Sequence, residues 1–87
     1  MGKYERLLSD LLRGRSDANV EFEELCQLLC SLGFEERVRG SHHIFRKAGI
    51  EERINLQRDK RKAKVYQVRQ VRAVIVKYGL AGDEGDA

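Results

Sequence analysis

The chain lacks most of what membrane proteins and large enzymes are built from. No apolar run approaches the roughly 18 residues that cross a bilayer. The opening MGKYERLLSD has no apolar stretch of the secretory kind. The expected compartment is therefore the cytoplasm, with no membrane partner. Cysteine is scarce. Cys26 and Cys30 stand four apart in a stretch with helical spacing, without the closer pairs and further ligands that a zinc site usually draws on. They read as buried free thiols, and no metal or other cofactor is expected. There is no glycine-rich phosphate loop, no G-x-S-x-G elbow and no carboxylate pair set in a pocket. Glu51 and Glu52 fall beside a turn and read as solvating. With 87 residues there is room for one modest core, which excludes large multi-substrate enzymes.

What the chain has is charge, unevenly spread. Residues 1–36 carry four Lys/Arg against eight Asp/Glu, a net of −4. Residues 37–77 carry thirteen Lys/Arg against three Asp/Glu, a net of +10, and residues 78–87 return −3. A middle segment this basic points to a polyanion, and nucleic acid is the obvious one.

Hydropathy patterning gives the order of elements. Tyr4, Leu7, Leu8, Leu11 and Leu12 follow the spacing of an amphipathic helix that Gly14 stops. Asn19 is placed to cap a second helix carrying Phe22, Leu25, Cys26, Leu29 and Leu32, and Gly33-Phe34 reads as its left-handed close. Then the period changes. Glu35 to Arg39, His42 to Lys47 and Arg53 to Gln57 read as short strands, with turns at Gly40-Ser41 and Ala48-Gly49. A basic loop over 58–62 leads to a last helix with Val68, Val71, Ile75 and Tyr78 on one stripe. Residues 1–18 read as an additional helix and linker, 19–80 as the domain, and 81–87 as a disordered acidic tail. Helices should cover one face of the three-stranded sheet and leave the other open. The leucine stripe of the first helix should pack on the domain or on its copy in a homodimer.

The segment RGSHHIFRK, residues 39–47, holds the only two histidines. Cutting RNA without a metal needs a base for the 2′-OH proton and cations at the phosphate. His42 or His43 can be that base, with Arg39, Arg46 or Lys47 at the phosphate. Gly40 and Ser41 form the adjoining turn, and Arg58, Lys60, Arg61 and Lys62 add further phosphate contacts. Alternation along a strand divides this segment into His42, Ile44, Arg46 on one face and His43, Phe45, Lys47 on the other. Either set can be the core side. A binding module that holds RNA without cutting it fits the same residues, as does an adaptor for an acidic protein.

The run ELCQLLCSLGFEERVRGSHHIFRK resembles the HicA toxins, the RNase halves of HicA–HicB toxin–antitoxin pairs. The likeness rests on Leu32-Gly33-Phe34, Gly40-Ser41-His42 and Ile44-Phe45, with YQVRQVRAVIVKYGL resembling the family's closing helix. It spans about residues 20 to 80. It implies an α+β fold similar to a double-stranded-RNA-binding domain, α-β-β-β-α, with the first helix added. It further implies metal-independent endoribonuclease action on mRNA and neutralisation by a HicB-like antitoxin. The essential histidine carried over is the one after Gly-Ser, His42, with His43 as the second choice. The chain departs from the family where the third strand often ends in Pro-x-His: Asn55-Leu56-Gln57-Arg58-Asp59 has neither residue.

Overall fold

The computed structural model describes residues 3–15, 17–58 and 60–80. The expected acidic tail at 81–87 lies outside the described residues. Helix α1 (Lys3–Leu12) is followed by a short 3-10 turn (Asp17–Asn19) and helix α2 (Phe22–Ser31). Strands β1 (Glu35–Arg39), β2 (His42–Arg46) and β3 (Ile54–Gln57) come next, and helix α3 (Val65–Tyr78) closes the domain. The sheet is antiparallel in the order β1-β2-β3. This is the α+β, double-stranded-RNA-binding type of architecture.

One core joins the three helices to β2 and β3. Phe45, Ile54 and Leu56 point from the sheet into Phe22, Leu25, Leu28 and Leu29 of α2 and Val68, Val71 and Ile75 of α3. α3 is rich in β-branched residues, which are mediocre helix formers. It is held by packing: Val68, Val71 and Val74 fall three apart on the buried stripe that faces the sheet, while Val76 is exposed. Leu8 and Leu11 of α1 enter the same cluster, so the leucine stripe is covered within the chain.

Helix ends explain where the chain turns. At the end of α2, Gly33 takes φ +100° and the Phe34 N–H donates to the Leu29 carbonyl at 3.1 Å, closing the helix as its Gly-Phe pair implied. The start of α2 differs from expectation. Asn19 lies in the 3-10 turn and caps nothing. Glu21 holds the position before the helix without a side-chain capping bond. There the Phe22 N–H donates to the Arg61 carbonyl at 2.8 Å, and the Ala63 N–H donates to the Val20 carbonyl at 2.8 Å. The segment leaving the sheet thus does the work expected of a cap.

Two polar ties brace the helices. Arg72 Nη1 reaches both carboxylate oxygens of Asp17, at 3.0 and 3.1 Å, and the Leu11 carbonyl at 3.3 Å. It fixes the end of α1 to α3. Glu52, ahead of β3, accepts from Lys77 Nζ at 2.8 Å and from the Tyr78 hydroxyl. Those two hydrogen bonds draw its carboxyl down to about 2.

Leu11 is 1% exposed, so Leu11→Ala should cost about 2–4 kcal/mol of stability. Urea unfolding measures it. An unchanged midpoint would mean that α1 does not pack as described.

Candidate functional site

The β1–β2 hairpin positions every side chain that RGSHHIFRK contributes. Its turn has two residues, because Arg39 pairs directly with His42. Gly40 takes φ +59°, while Ser41 is not among the residues with positive φ. That pattern belongs to a type II′ turn, whose twist matches the strands. A Cβ on Gly40 would meet no atom within 4 Å. The glycine is therefore required by backbone conformation, not by crowding.

With the register set, the two histidines part company. His43 shares the helix-covered face with Phe45 and Leu56. Its Nδ1 lies 2.7 Å from Glu36 Oε2, and its ring meets Phe22 edge-on with centroids 4.9 Å apart. His42 is on the open face with Ile44 and Arg46. Its Nδ1 lies 3.3 Å from Asn55 Oδ1. Asn55 Oδ1 is an acceptor, so the tautomer that makes this hydrogen bond carries its proton on Nδ1.

The basic residues also separate. Arg39 is the cross-strand neighbour of His42, and Arg46 lies two positions along the same face. Arg37 and Arg53, which the sequence reading did not single out, join them. Arg37, Arg39, Arg46 and Arg53 line a surface cleft of about 570 Å³ with Ile44, and Glu35 and Glu36 line it too, Glu35 as the cross-strand partner of Arg46. Their signal was present as phase: Arg37 alternates with Arg39, and Arg53 with Asn55. Lys47 is not part of this group. Its Nζ lies over Gly33, so near that a Cβ there would come within 2.5 Å. The 58–62 loop leaves the sheet beside the turn, where the Arg58 N–H donates to the Ser41 carbonyl at 3.1 Å. Arg58, Arg61 and Lys62 lean toward the start of α2. Arg58 pairs with Glu23 at 3.3 Å, Arg61 with Glu21 at 3.6 Å, and Lys62 Nζ donates to the Asn19 carbonyl at 3.5 Å. Lys60 sits at φ +63° and is exposed.

The cysteines need a correction. Both are free, but only Cys26 is buried and Cys30 is exposed. Burial, then the nearby Glu36 carboxylate, pushes the Cys26 thiol up to about 12. The same two causes raise Cys30.

A sheet covered on one side by two helices and cationic on the other defines a small α+β domain of the double-stranded-RNA-binding type. The model of a family described as the HicA toxin of bacterial toxin–antitoxin systems matches residues 22–78. That is more than half of the chain, and the chain belongs to this family. No curated protein and no solved structure matches it. Family membership makes it the toxin half of a toxin–antitoxin pair, with an antitoxin as its counterpart. Among the described residues no helix is long and apolar enough to cross a membrane.

If the open face is the anion surface, replacing Arg37, Arg46 and Arg53 together by Gln should flatten the salt dependence of RNA binding. Three lost phosphate contacts lower the log–log slope by roughly 2 on single-stranded RNA. Fluorescence anisotropy across a salt series reads it. An unchanged slope would move the contact surface elsewhere.

Proposed function

We propose that the chain is a metal-independent endoribonuclease that cuts mRNA in the cytoplasm and is silenced by a HicB-like antitoxin. One observation carries the reading: His42 stands on the open cationic face, Nδ1 against Asn55 and Arg39 directly across the ladder. The Asn55 contact orients the ring, so Nε2 is the nitrogen that accepts the 2′-OH proton. The 2′ oxygen then attacks phosphorus, the bond to the 5′ oxygen breaks, and a 2′,3′-cyclic phosphate and a 5′-hydroxyl result. Arg39 and Arg46 offset the charge that builds on the phosphorane oxygens. DNA lacks the 2′-OH and can bind but not react in this way.

The proton for the departing 5′ oxygen has no imidazole to come from. His43 is the only other histidine, and it faces the helices. In this reading the proton comes from water, and cleavage is slow beside that of nucleases with two imidazoles at the phosphate.

His42→Ala should fold and bind RNA yet lose on the order of 10²–10⁴ in cleavage rate, because one positioned base is removed while phosphate contacts remain. His43→Ala should lose less, and through stability. Gel analysis of a labelled RNA with both variants makes the test. Full activity in His42→Ala would sink the assignment of the base, and loss confined to His43→Ala would transfer it to the Glu36–His43 pair. No cleavage by the unmodified chain, with binding intact, would leave an RNA-binding module of the same fold.

A further inference from the structure

The covered side of the hairpin holds a cluster that the open-face chemistry does not use. Glu36 is at its centre. Its Oε2 lies 2.7 Å from His43 Nδ1, and its Oε1 lies 3.9 Å from Cys30 Sγ. Ligand atoms of Cys26, Glu36 and His43 all fall within 4.8 Å of one another. The four residues come from three elements: two thiols one turn apart on α2, a carboxylate on β1 and an imidazole on β2. Residues four apart on a helix share a face, and both cysteines line one cleft beside Glu36, Cys26 from the core and Cys30 from the surface. Two shallow clefts, of about 430 and 200 Å³, share Cys26, Gln27 and Glu36 in their walls. An ion can therefore reach the cluster from solvent.

We propose that Cys26, Cys30, Glu36 and His43 bind a zinc ion as a Cys₂-His-Glu site that clamps α2 to the β1–β2 hairpin. Thiolate, imidazole and carboxylate are the donors zinc takes, and four of them complete a tetrahedron. At zinc bond lengths tetrahedral donors stand roughly 3.3–3.8 Å apart. Closing the three-residue group from 4.8 Å to that spacing asks about an ångström of side-chain movement, and Cys30, outside that group, swings in from 3.9 Å off Glu36 Oε1. The metal-free contacts already have the right sense. Cys30 and His43 both approach the Glu36 carboxylate; the ion replaces the thiol protons of Cys26 and Cys30, which pass to solvent, and takes Nδ1 of a neutral His43 whose proton sits on Nε2. A plain hydrogen-bonded network accounts for the His43–Glu36 pair. It gives no reason for a second thiol of the helix, Cys26, to stand within 4.8 Å of that carboxylate and imidazole. Sequence spacing hid the site, because its further ligands lie on two strands that only the folded hairpin brings to α2. The inference does not rest on the proposed cleavage, since its ligands exclude His42.

The test uses the full chain without a histidine tag, reduced, freed of metal with a chelator and dialysed against zinc chloride. The expected result is one zinc retained per chain and a raised melting temperature. Cobalt(II) in its place should show thiolate-to-metal charge transfer and the strong visible bands of a tetrahedral ion. Cys30 and Glu36 are exposed, so Cys30→Ser and Glu36→Gln probe ligation without touching the core. Each should weaken zinc binding by on the order of 100-fold, the upper end of what loss of even an outer-shell partner costs. His42→Ala should retain zinc fully. The proposal is overturned if the unmodified chain retains no zinc. It is equally overturned if cobalt shows no thiolate charge transfer, or if Cys30→Ser and Glu36→Gln bind as tightly as the parent while His42→Ala does not.

Discussion

Phe45 is completely buried between the sheet and the helices, and its place in the core fixes where everything else on β2 points. A strand alternates, so once Phe45 faces inward, His43 does too, and His42, Ile44 and Arg46 face out. Slipping the register by one residue would bury His42 and Arg46 and expose Phe45. The two-residue turn through Gly40 prevents that slip by holding Arg39 opposite His42. It also carries the choice across to β1, where Arg37 and Arg39 fall on the open face and Glu36 on the covered one. The division of the two histidines into different environments is a consequence of one aromatic side chain and one glycine.

The same division sorts the charge that the chain displays as an acidic beginning and a basic middle. Carboxylates of α2 and the residue before it, Glu21 and Glu23, turn toward the 58–62 loop and neutralise Arg61 and Arg58. The arginines of the strands have no such neighbours in the covering helices, since those lie on the other side of the sheet. A polyanion meeting the open face therefore finds four arginines around Ile44 with Glu35 among them, and the open-face histidine at the turn end of the same surface. The loop that looks most basic in sequence is partly answered by acids that are distant in sequence and close in space.

Much of the fold was legible because its signals are local. Leucine spacing marked α1 and α2, the Gly33-Phe34 pair marked the end of α2, and the three-residue valine period marked α3 against its own β propensity. What stayed hidden depends on pairs far apart along the chain. The Arg72–Asp17 tie joins residues 55 apart, and no periodicity announces it. The missing cap at Asn19 reflects a bridge from Arg61, which replaces a local bond with a long-range one. Within the site, the strand carrying both histidines was readable, but which face was the core was not. His42-Ile44 and His43-Phe45 each offer one aliphatic or aromatic residue beside a histidine, and only packing against Phe22 and Leu25 breaks the tie. Arg37 and Arg53 were missed for a related reason: one lies on β1 and the other just ahead of β3, and they meet Arg46 only through the register.

The central claim is that RNA lies on the open sheet face and not against the helices. The most direct measurement is a map of backbone amide shifts on adding a 2′-O-methyl oligoribonucleotide, which binds without being cut. Shifts concentrated at Arg37, Arg39, His42, Ile44, Arg46 and Asn55, with α2 and α3 unmoved, are what the account predicts. Shifts centred on Phe22, Glu23 and Gln27, with the open face silent, would contradict it.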